Sequence, residues 1–212
     1  MFTRKEGIGI AVGGVVALVL VVVIATNLIR GHRKKVEDDR VAVMVADATV
    51  QLRQALGGSP SGAGIAKLDE YLQTAKSSPN AAGGSAAEQY LIGVREIARR
   101  RADSVRLERE AAAARNALAG HMRRAERRNT TWIRDAAELK RRVESSHADL
   151  NRSLQALDDL LGNLPDAEKR LAPHVAASAL LGTPEIDAAR ARAQDQSKRA
   201  ANELEQVRRI VP

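Results

Sequence analysis

The chain has 212 residues, a formal net charge of +8 and no cysteine. Aromatic residues make up only 2% of the sequence, so few large rings are available to fill a broad core. The abundance of Ala, Arg and Leu is typical of long helices and coiled coils. The composition therefore argues against a compact globule, and the lack of cysteine is compatible with either redox compartment.

An uncharged apolar run occupies residues 7–29. A helix of this length reaches about 35 Å, enough to cross a hydrocarbon core of about 30 Å. A cleaved signal peptide is the weaker interpretation, because the run has no good small-x-small cleavage site. We therefore predict a single N-terminal transmembrane helix, preceded by a short tail over residues 1–6, with the lipid bilayer as the first partner of the chain.

Small residues and flanking charges give this segment two further features. Gly9, Gly13 and Ala17 offer a face on which a second membrane helix could pack closely, although glycines are also simply common in membrane helices. The C-terminal flank carries the cations Arg30, Arg33, Lys34 and Lys35, which act as topology determinants and secondarily contact lipid headgroups. Their number favours a cytoplasmic location for the rest of the chain, with a periplasmic location as the alternative.

Two shorter helices are predicted after the anchor. The apolar residues Val41, Val45, Ala48, Leu52 and Ala55 recur at spacings of four and three. This period predicts a juxtamembrane helix over residues 30–56, with a strand at residues 41–45 as the competing interpretation. Segments rich in Gly, Ser and Pro predict flexible linkers over residues 57–85, around a short helix at residues 65–76.

A long helical segment follows over residues 86–164 and reaches about 120 Å if it is continuous. A heptad repeat, here called the heptad seam, predicts a coiled coil in its second half. Its members are Leu118, Met122, Ala125, Asn129, Trp132, Ala136, Leu139, Val143, Ser146, Leu150, Ser153, Leu157, Leu160 and Leu164. Asn129 either fixes the register of the coiled coil or belongs to a break near residues 129–131. The first half has smaller apolar residues, so we expect it to bury less area.

The C-terminal part, residues 165–212, is predicted to fold back. Gly162 and Pro165 predict the end of the long helix, and Pro173 breaks or kinks the helix after it. Thr183-Pro184-Glu185 is a good helix start, and the short connection makes the last helix antiparallel to its predecessor. The fold class is therefore all-α: one transmembrane helix followed by an extended helical hairpin or coiled coil that self-associates.

No residue pattern in the sequence indicates catalysis, a metal or a cofactor. The four histidines, His32, His121, His147 and His174, have no second ligand at i+3 or i+4. No nucleophile is paired with a base, and residues 57–64 lack the pattern of a phosphate-binding loop. We expect a protein that is not an enzyme.

The basic stretch over residues 95–142 is the one charged region that indicates a partner. It contains fifteen basic and seven acidic residues. A solvated helix face explains it best, because Glu96 to Arg100 and Glu138 to Arg142 have the favourable i, i+4 order. An acidic protein partner is the next interpretation, and binding to nucleic acid or lipid is weaker because aromatic residues for base stacking are missing.

These patterns favour a non-enzymatic, membrane-anchored scaffold or adaptor that forms homo-oligomers and recruits a partner protein that the sequence does not identify. In general architecture the chain resembles the anchored helical scaffolds of bacterial division and envelope assembly, but no motif assigns it to a family. The alternative is a periplasmic or extracellular helical sensor or secretion-system component with the opposite topology. A membrane tether for nucleic acid is the weakest of the three.

Overall fold

Five α-helices make up most of the structure. The computed structural model describes residues 32, 35–58, 60–77, 83–123 and 130–210, of which 92% are helical. No strand occurs in these ranges, so the all-α prediction is confirmed. The helices are α1 over residues 35–57, α2 Gly62–Lys76, α3 Gly84–Arg123, α4 Thr130–Leu171 and α5 Thr183–Ile210, with a 3-10 helix at Ala177–Ala179.

None of the helices in these ranges is both long enough and apolar enough to cross a bilayer. The membrane segment predicted at residues 7–29 lies outside the described residues. The same holds for the positions predicted to pack or flank it, namely Gly9, Gly13, Ala17, Arg30, Arg33 and Lys34. Lys35 begins the described part of α1 and is exposed.

α3 and α4 form an antiparallel hairpin and not one rod. Leu118 of α3 packs in one cluster with Val143 of α4 and Val207 of α5. In a continuous helix Leu118 and Val143 would lie about 38 Å apart, at about 1.5 Å per residue. The single-helix prediction for residues 86–164 is therefore wrong. The alternative, a break near residues 129–131, agrees with the start of α4 at Thr130.

The heptad seam faces other helices of the same chain. Its described members are buried or half-buried: Leu118, Met122, Trp132, Ala136, Leu139, Val143, Ser146, Leu150, Ser153, Leu157, Leu160 and Leu164. Ala125 and Asn129 lie outside the described residues. Because α4 packs on both α3 and α5, its period of three and four residues is satisfied within the chain.

One end of the bundle, here called the base, contains all five helices. Thr49 of α1 contacts Tyr90 of α3, and Ala55 lies near Ala98, so α1 runs parallel to α3. α2 returns beside them, with Asp69 paired to Arg99. The apolar residues of α3 in this region, Tyr90, Leu91, Val94 and Ile97, are fully buried. The expectation that the first half of the segment 86–164 buries little area is wrong for residues 90–98, because α1 and α2 cover them.

The helix boundaries differ from the predicted ones at two prolines and one serine. α4 continues through Pro165 to Leu171, so the end predicted at residues 162–165 is wrong. Leu171 and Glu168 are buried, and this packing outweighs the helix-breaking cost of about 3 kcal/mol for an interior proline. The break or kink predicted at Pro173 falls in a turn at residues 172–174, directly after α4 ends at Leu171. α2 begins at Gly62 because the hydroxyl of Ser61 accepts a hydrogen bond from the Gly64 N–H.

α5 begins at Thr183, at the predicted start signal, and runs antiparallel to α4. Arg190 pairs with Asp158 at 2.9 Å, and Ser197 donates a hydrogen bond to Asn151 at 3.2 Å. From the first pair to the second, the residue number rises in α5 and falls in α4, as antiparallel packing requires. The bundle therefore narrows from five helices at the base to the α3–α4 hairpin at the other end, here called the tip.

Candidate interaction site at the tip of the hairpin

An aromatic pair closes the hairpin where α3 ends and α4 begins. The rings of His121 and Trp132 stack with centroids 5.1 Å apart and planes inclined by 18°. His121 Nε2 lies 3.1 Å from the backbone oxygen of Trp132. Because a carbonyl oxygen only accepts, the imidazole donates this hydrogen bond and carries a proton on Nε2. The pair fixes the last turn of α3 against the first turn of α4.

Exposed apolar and basic side chains surround this pair. Ile133 is 58% exposed, one of five strongly exposed large apolar side chains in the described ranges. Arg123 and Arg134 are also exposed, and the Arg134 guanidinium is 3.6 Å from the Asp135 carboxylate. We call His121, Arg123, Trp132, Ile133 and Arg134 the tip cluster. Aromatic and arginine side chains beside an exposed aliphatic residue are the combination enriched in protein-protein contacts.

The connection between the two helices adds to the basic character of the sequence here. Residues 124–129 read Arg-Ala-Glu-Arg-Arg-Asn, with three basic residues and one acidic residue. These positions lie outside the described residues. An acidic partner surface is the complement of such a sequence.

At the base, a hydrogen-bond network holds α1 in the bundle. The Thr49 hydroxyl lies 2.7 Å from the Tyr90 hydroxyl and donates to the backbone oxygens of Val45 and Ala179, at 2.9 and 2.7 Å. Because the Thr49 proton points at carbonyls, the Tyr90 hydroxyl donates to Thr49. Burial raises the pKa of Tyr90 well above its ordinary value, and its hydrogen bond with Thr49 opposes this only in part.

Charged groups extend this network to the loop before α5. Arg53 of α1 donates to the backbone oxygen of Leu180 and pairs with Glu185, both at 2.9 Å. Glu168 of α4 accepts the backbone N–H of Leu181 at 2.8 Å and that of Gly182 at 3.4 Å. These contacts connect the loop with α1, α4 and α5. α1 is therefore packed into the bundle as one of its helices.

The basic stretch over residues 95–142 is divided between the two arms of the hairpin. Six of its described cations have a carboxylate within 4 Å: Arg95 and Arg99 with Asp69, Arg100 with Glu96, Arg106 with Asp103 and Glu110, Arg115 with Glu203, and Arg134 with Asp135. These pairs reduce the positive potential available to a polyanion. They agree with a solvated helix surface along the arms.

The histidines are not brought together by the fold. His121 is in the tip cluster, His174 lies beside Gly83 at the base, and His32 is exposed. His147 is buried in the middle of the bundle, with Nδ1 3.0 Å from the Val143 oxygen and Nε2 3.5 Å from Glu203. Within the described ranges, no group of three or more histidines and carboxylates is placed to hold a metal ion.

Comparison with known proteins gives no relative: no family model, no curated protein and no solved structure matches the chain.

The sequence patterns placed Trp132 in the heptad seam but did not single out the tip cluster. Its members come together only because the chain turns between Arg123 and Thr130. His121 and Trp132 are equidistant from the middle of this turn, so their pairing follows once the turn is located. In a continuous helix the two rings would lie about three turns apart, so the continuous-helix interpretation does not bring them together.

Proposed function

We propose that the chain is a non-enzymatic, single-pass membrane-anchored scaffold that self-associates and recruits a partner protein through the tip cluster. One observation carries the proposal: α1, the helix that follows the predicted anchor, is packed into the base and runs parallel to α3. The N-terminal end of α1 and the tip therefore lie at opposite ends of the bundle. α3 has 40 residues and so spans about 60 Å. A bilayer at the base would leave the tip far from its surface.

The anchoring part of the proposal rests on residues 7–29. This run is followed at once by the cations Arg30, Arg33 and Lys34 and then by α1. Residues 30–34 separate this run from α1, and α1 is held in the base by Thr49 and Arg53. Such a connection transmits the position of the membrane to the bundle, which a scaffold requires.

The tip supplies the recruiting surface. Ile133 offers exposed apolar area, Trp132 offers a half-buried ring, and Arg123 and Arg134 offer guanidinium groups. The described cluster contains no nucleophile beside a general base, so we assign it binding and not catalysis. A protein partner with an acidic rim around an apolar contact fits this chemistry.

A distance measurement in vesicles tests the architecture. The chain has no cysteine, so fluorescent labels can be placed on single cysteines at Lys35→Cys and Arg134→Cys in the full chain. A quencher attached to lipid headgroups should quench the label at position 35 strongly and the label at position 134 very little. Equal quenching of the two labels would contradict a bundle that stands away from the bilayer.

A second experiment tests recruitment. A photo-cross-linking amino acid is introduced at Ile133, and at Ile92 of α3 as the matched control, since both isoleucines are strongly exposed. In native membranes, position 133 should give a discrete cross-linked partner and position 92 should not. The result contradicting the proposal is the same diffuse cross-linking at both positions.

The compartment is a separate part of the proposal. The cations at positions 30–35 favour a cytoplasmic bundle, and the opposite orientation would make the chain a periplasmic or extracellular component. Topology reporters fused after Pro212 distinguish the two. An outward-facing C-terminus would move the tip cluster to the other side of the membrane without changing the anchored architecture.

A further inference from the structure

The outer face of α1 carries a line of exposed valines. Val36, Val43 and Val50 are 53%, 62% and 44% exposed and are spaced seven residues apart. They lie on the side of the helix opposite the buried residues Val45 and Leu52. A straight helix drifts only about 20° per heptad, so the three side chains stay on one face. We call them the valine stripe.

We propose that the valine stripe is the contact between two copies of this chain, packed parallel and in register around a two-fold axis. The inference deepens the proposed function and rests on its anchor. Valine at one position of successive heptads is a residue type that two-stranded parallel coiled coils place at the a position of their contact. Copies anchored by residues 7–29 in one bilayer would present their stripes parallel and at the same height, which is what an in-register two-fold contact needs.

The charges beside the stripe are compatible with this packing. Asp39 and Arg40 follow Val36 by three and four residues, so they lie on opposite sides of the line of valines. In a parallel two-fold pair, one flank of a helix faces the opposite flank of the other helix. Asp39 of each copy therefore lies near Arg40 of the other, and each charge has a partner of opposite sign.

The area of the stripe explains why the anchor matters. Six half-exposed valine side chains cover far less than the roughly 1,600 Å² of a standard protein-protein interface. Such a contact is too small to hold two freely diffusing proteins together. Confinement in the same membrane raises the effective concentration and removes most of the orientational cost, so a small contact suffices.

Disulfide cross-linking of the full chain in membranes tests the dimer. Because the wild-type chain has no cysteine, Val36→Cys, Val43→Cys and Val50→Cys each add a single thiol. Ile92→Cys is the matched control, since Ile92 is 44% exposed, as Val50 is, but lies on α3. Mild oxidation should give several-fold more disulfide-linked dimer at each stripe position than at position 92.

Three results would overturn the proposal: equal cross-linking at all four positions, no dimer at any stripe position, or links from the stripe to a different protein. A double variant adds a second criterion. Val43→Glu should abolish dimer formation through Val36→Cys, whereas Ile92→Glu in the same background should leave it intact. If Val43→Glu leaves this cross-link unchanged, the stripe is not the contact.

Separate experiments test the dimer and the membrane anchor. Carbonate extraction of the wild-type chain reports on the anchor alone, and release from the membrane would contradict the proposed function. Retention in carbonate without stripe cross-links would contradict only the dimer.

Discussion

Single polar residues at the base determine where α1 sits. Thr49 lies on the buried face of α1 and its hydroxyl meets the Tyr90 hydroxyl and the Ala179 oxygen. Burying such groups is costly unless each is hydrogen-bonded, so the network penalises any other position of α1 along the bundle. The apolar residues Val45 and Leu52 supply burial, but they would tolerate a shift that Thr49 does not.

Replacing Thr49 by valine therefore has a specific expected cost. Thr49→Val keeps the shape of the side chain but leaves the Tyr90 hydroxyl and the Ala179 oxygen without this partner. The free energy of unfolding should fall by about 1–3 kcal/mol. Thr74→Val is the matched control, because the Thr74 hydroxyl bonds only the Glu70 oxygen at an exposed site, and its change should stay within about 0.5 kcal/mol. Chemical unfolding followed by circular dichroism measures both, and equal effects would show that the network contributes nothing specific.

The buried Tyr90 also predicts how stability depends on alkaline pH. Its folded pKa lies above its ordinary value of 10.0, so the unfolded chain loses this proton first as the pH rises. The stabilisation is complete below about pH 10 and declines above it, by about 1.4 kcal/mol per pH unit. Tyr90→Phe should lack this part of the decline, whereas Tyr71→Phe should retain it. Unfolding curves measured from about pH 9 to about pH 11 would contradict this if both variants decline equally.

At the scale of elements, α4 shows where a local signal is overruled. Gly162 and Pro165 indicate the end of a helix, yet α4 continues to Leu171. The extra turns bury Leu171 and place Glu168 to accept the N–H groups of Leu181 and Gly182. These stabilising contacts involve residues outside 162–165. The sequence of residues 162–165 alone therefore does not indicate them.

Replacing this proline tests the balance. Pro165→Ala restores a backbone N–H in the helix interior and removes the clash with the preceding turn, so the free energy of unfolding should rise, by up to about 3 kcal/mol. Asn163→Ala on the exposed side of the same helix is the control, and it should gain only the propensity difference of about 0.7 kcal/mol or less. If Pro165→Ala destabilises the protein, the proline serves a packing role that the geometry does not show. Thermal and chemical unfolding of the two variants give the comparison.

The sequence predicted those features of the fold that depend on neighbouring residues. It did not predict those that depend on residues distant in the chain. The buried face of α1 was predicted because helical periodicity is local: Val41 and Leu52 are buried as their spacing indicates. The partner of a buried face is not local. Leu118 and Val143 belong to one heptad pattern in either a rod or a hairpin, and only the turn after Arg123 decides between them. The tip cluster and the valine stripe were not predicted, because both consist of side chains that stay exposed. Which side chains stay exposed depends on how the other helices pack.

For the whole molecule, the amount of packed core decreases from the base to the tip. The base cluster contains 24 buried apolar residues, contributed by all five helices. Each of the two clusters nearer the tip contains four, around Leu150 and around Leu118. Because local opening is governed by the apolar contacts that must be broken, stability should follow the same gradient. The proposed binding surface lies at the less stable end, where it can adjust to a partner while the base keeps its shape.

Hydrogen exchange of the full chain measures this gradient directly. Peptides from residues 84–98 and 157–171 at the base should exchange only through global unfolding, whereas peptides from residues 114–123 and 130–143 should exchange faster through local opening. Leu118→Ala removes the largest buried side chain of the outermost cluster, so it should increase exchange near the tip and leave residues 84–98 unchanged. Uniform protection along α3, or a loss of protection at the base in Leu118→Ala, would mean that the bundle opens as one unit. In that case the tip could not adjust to a partner independently of the base.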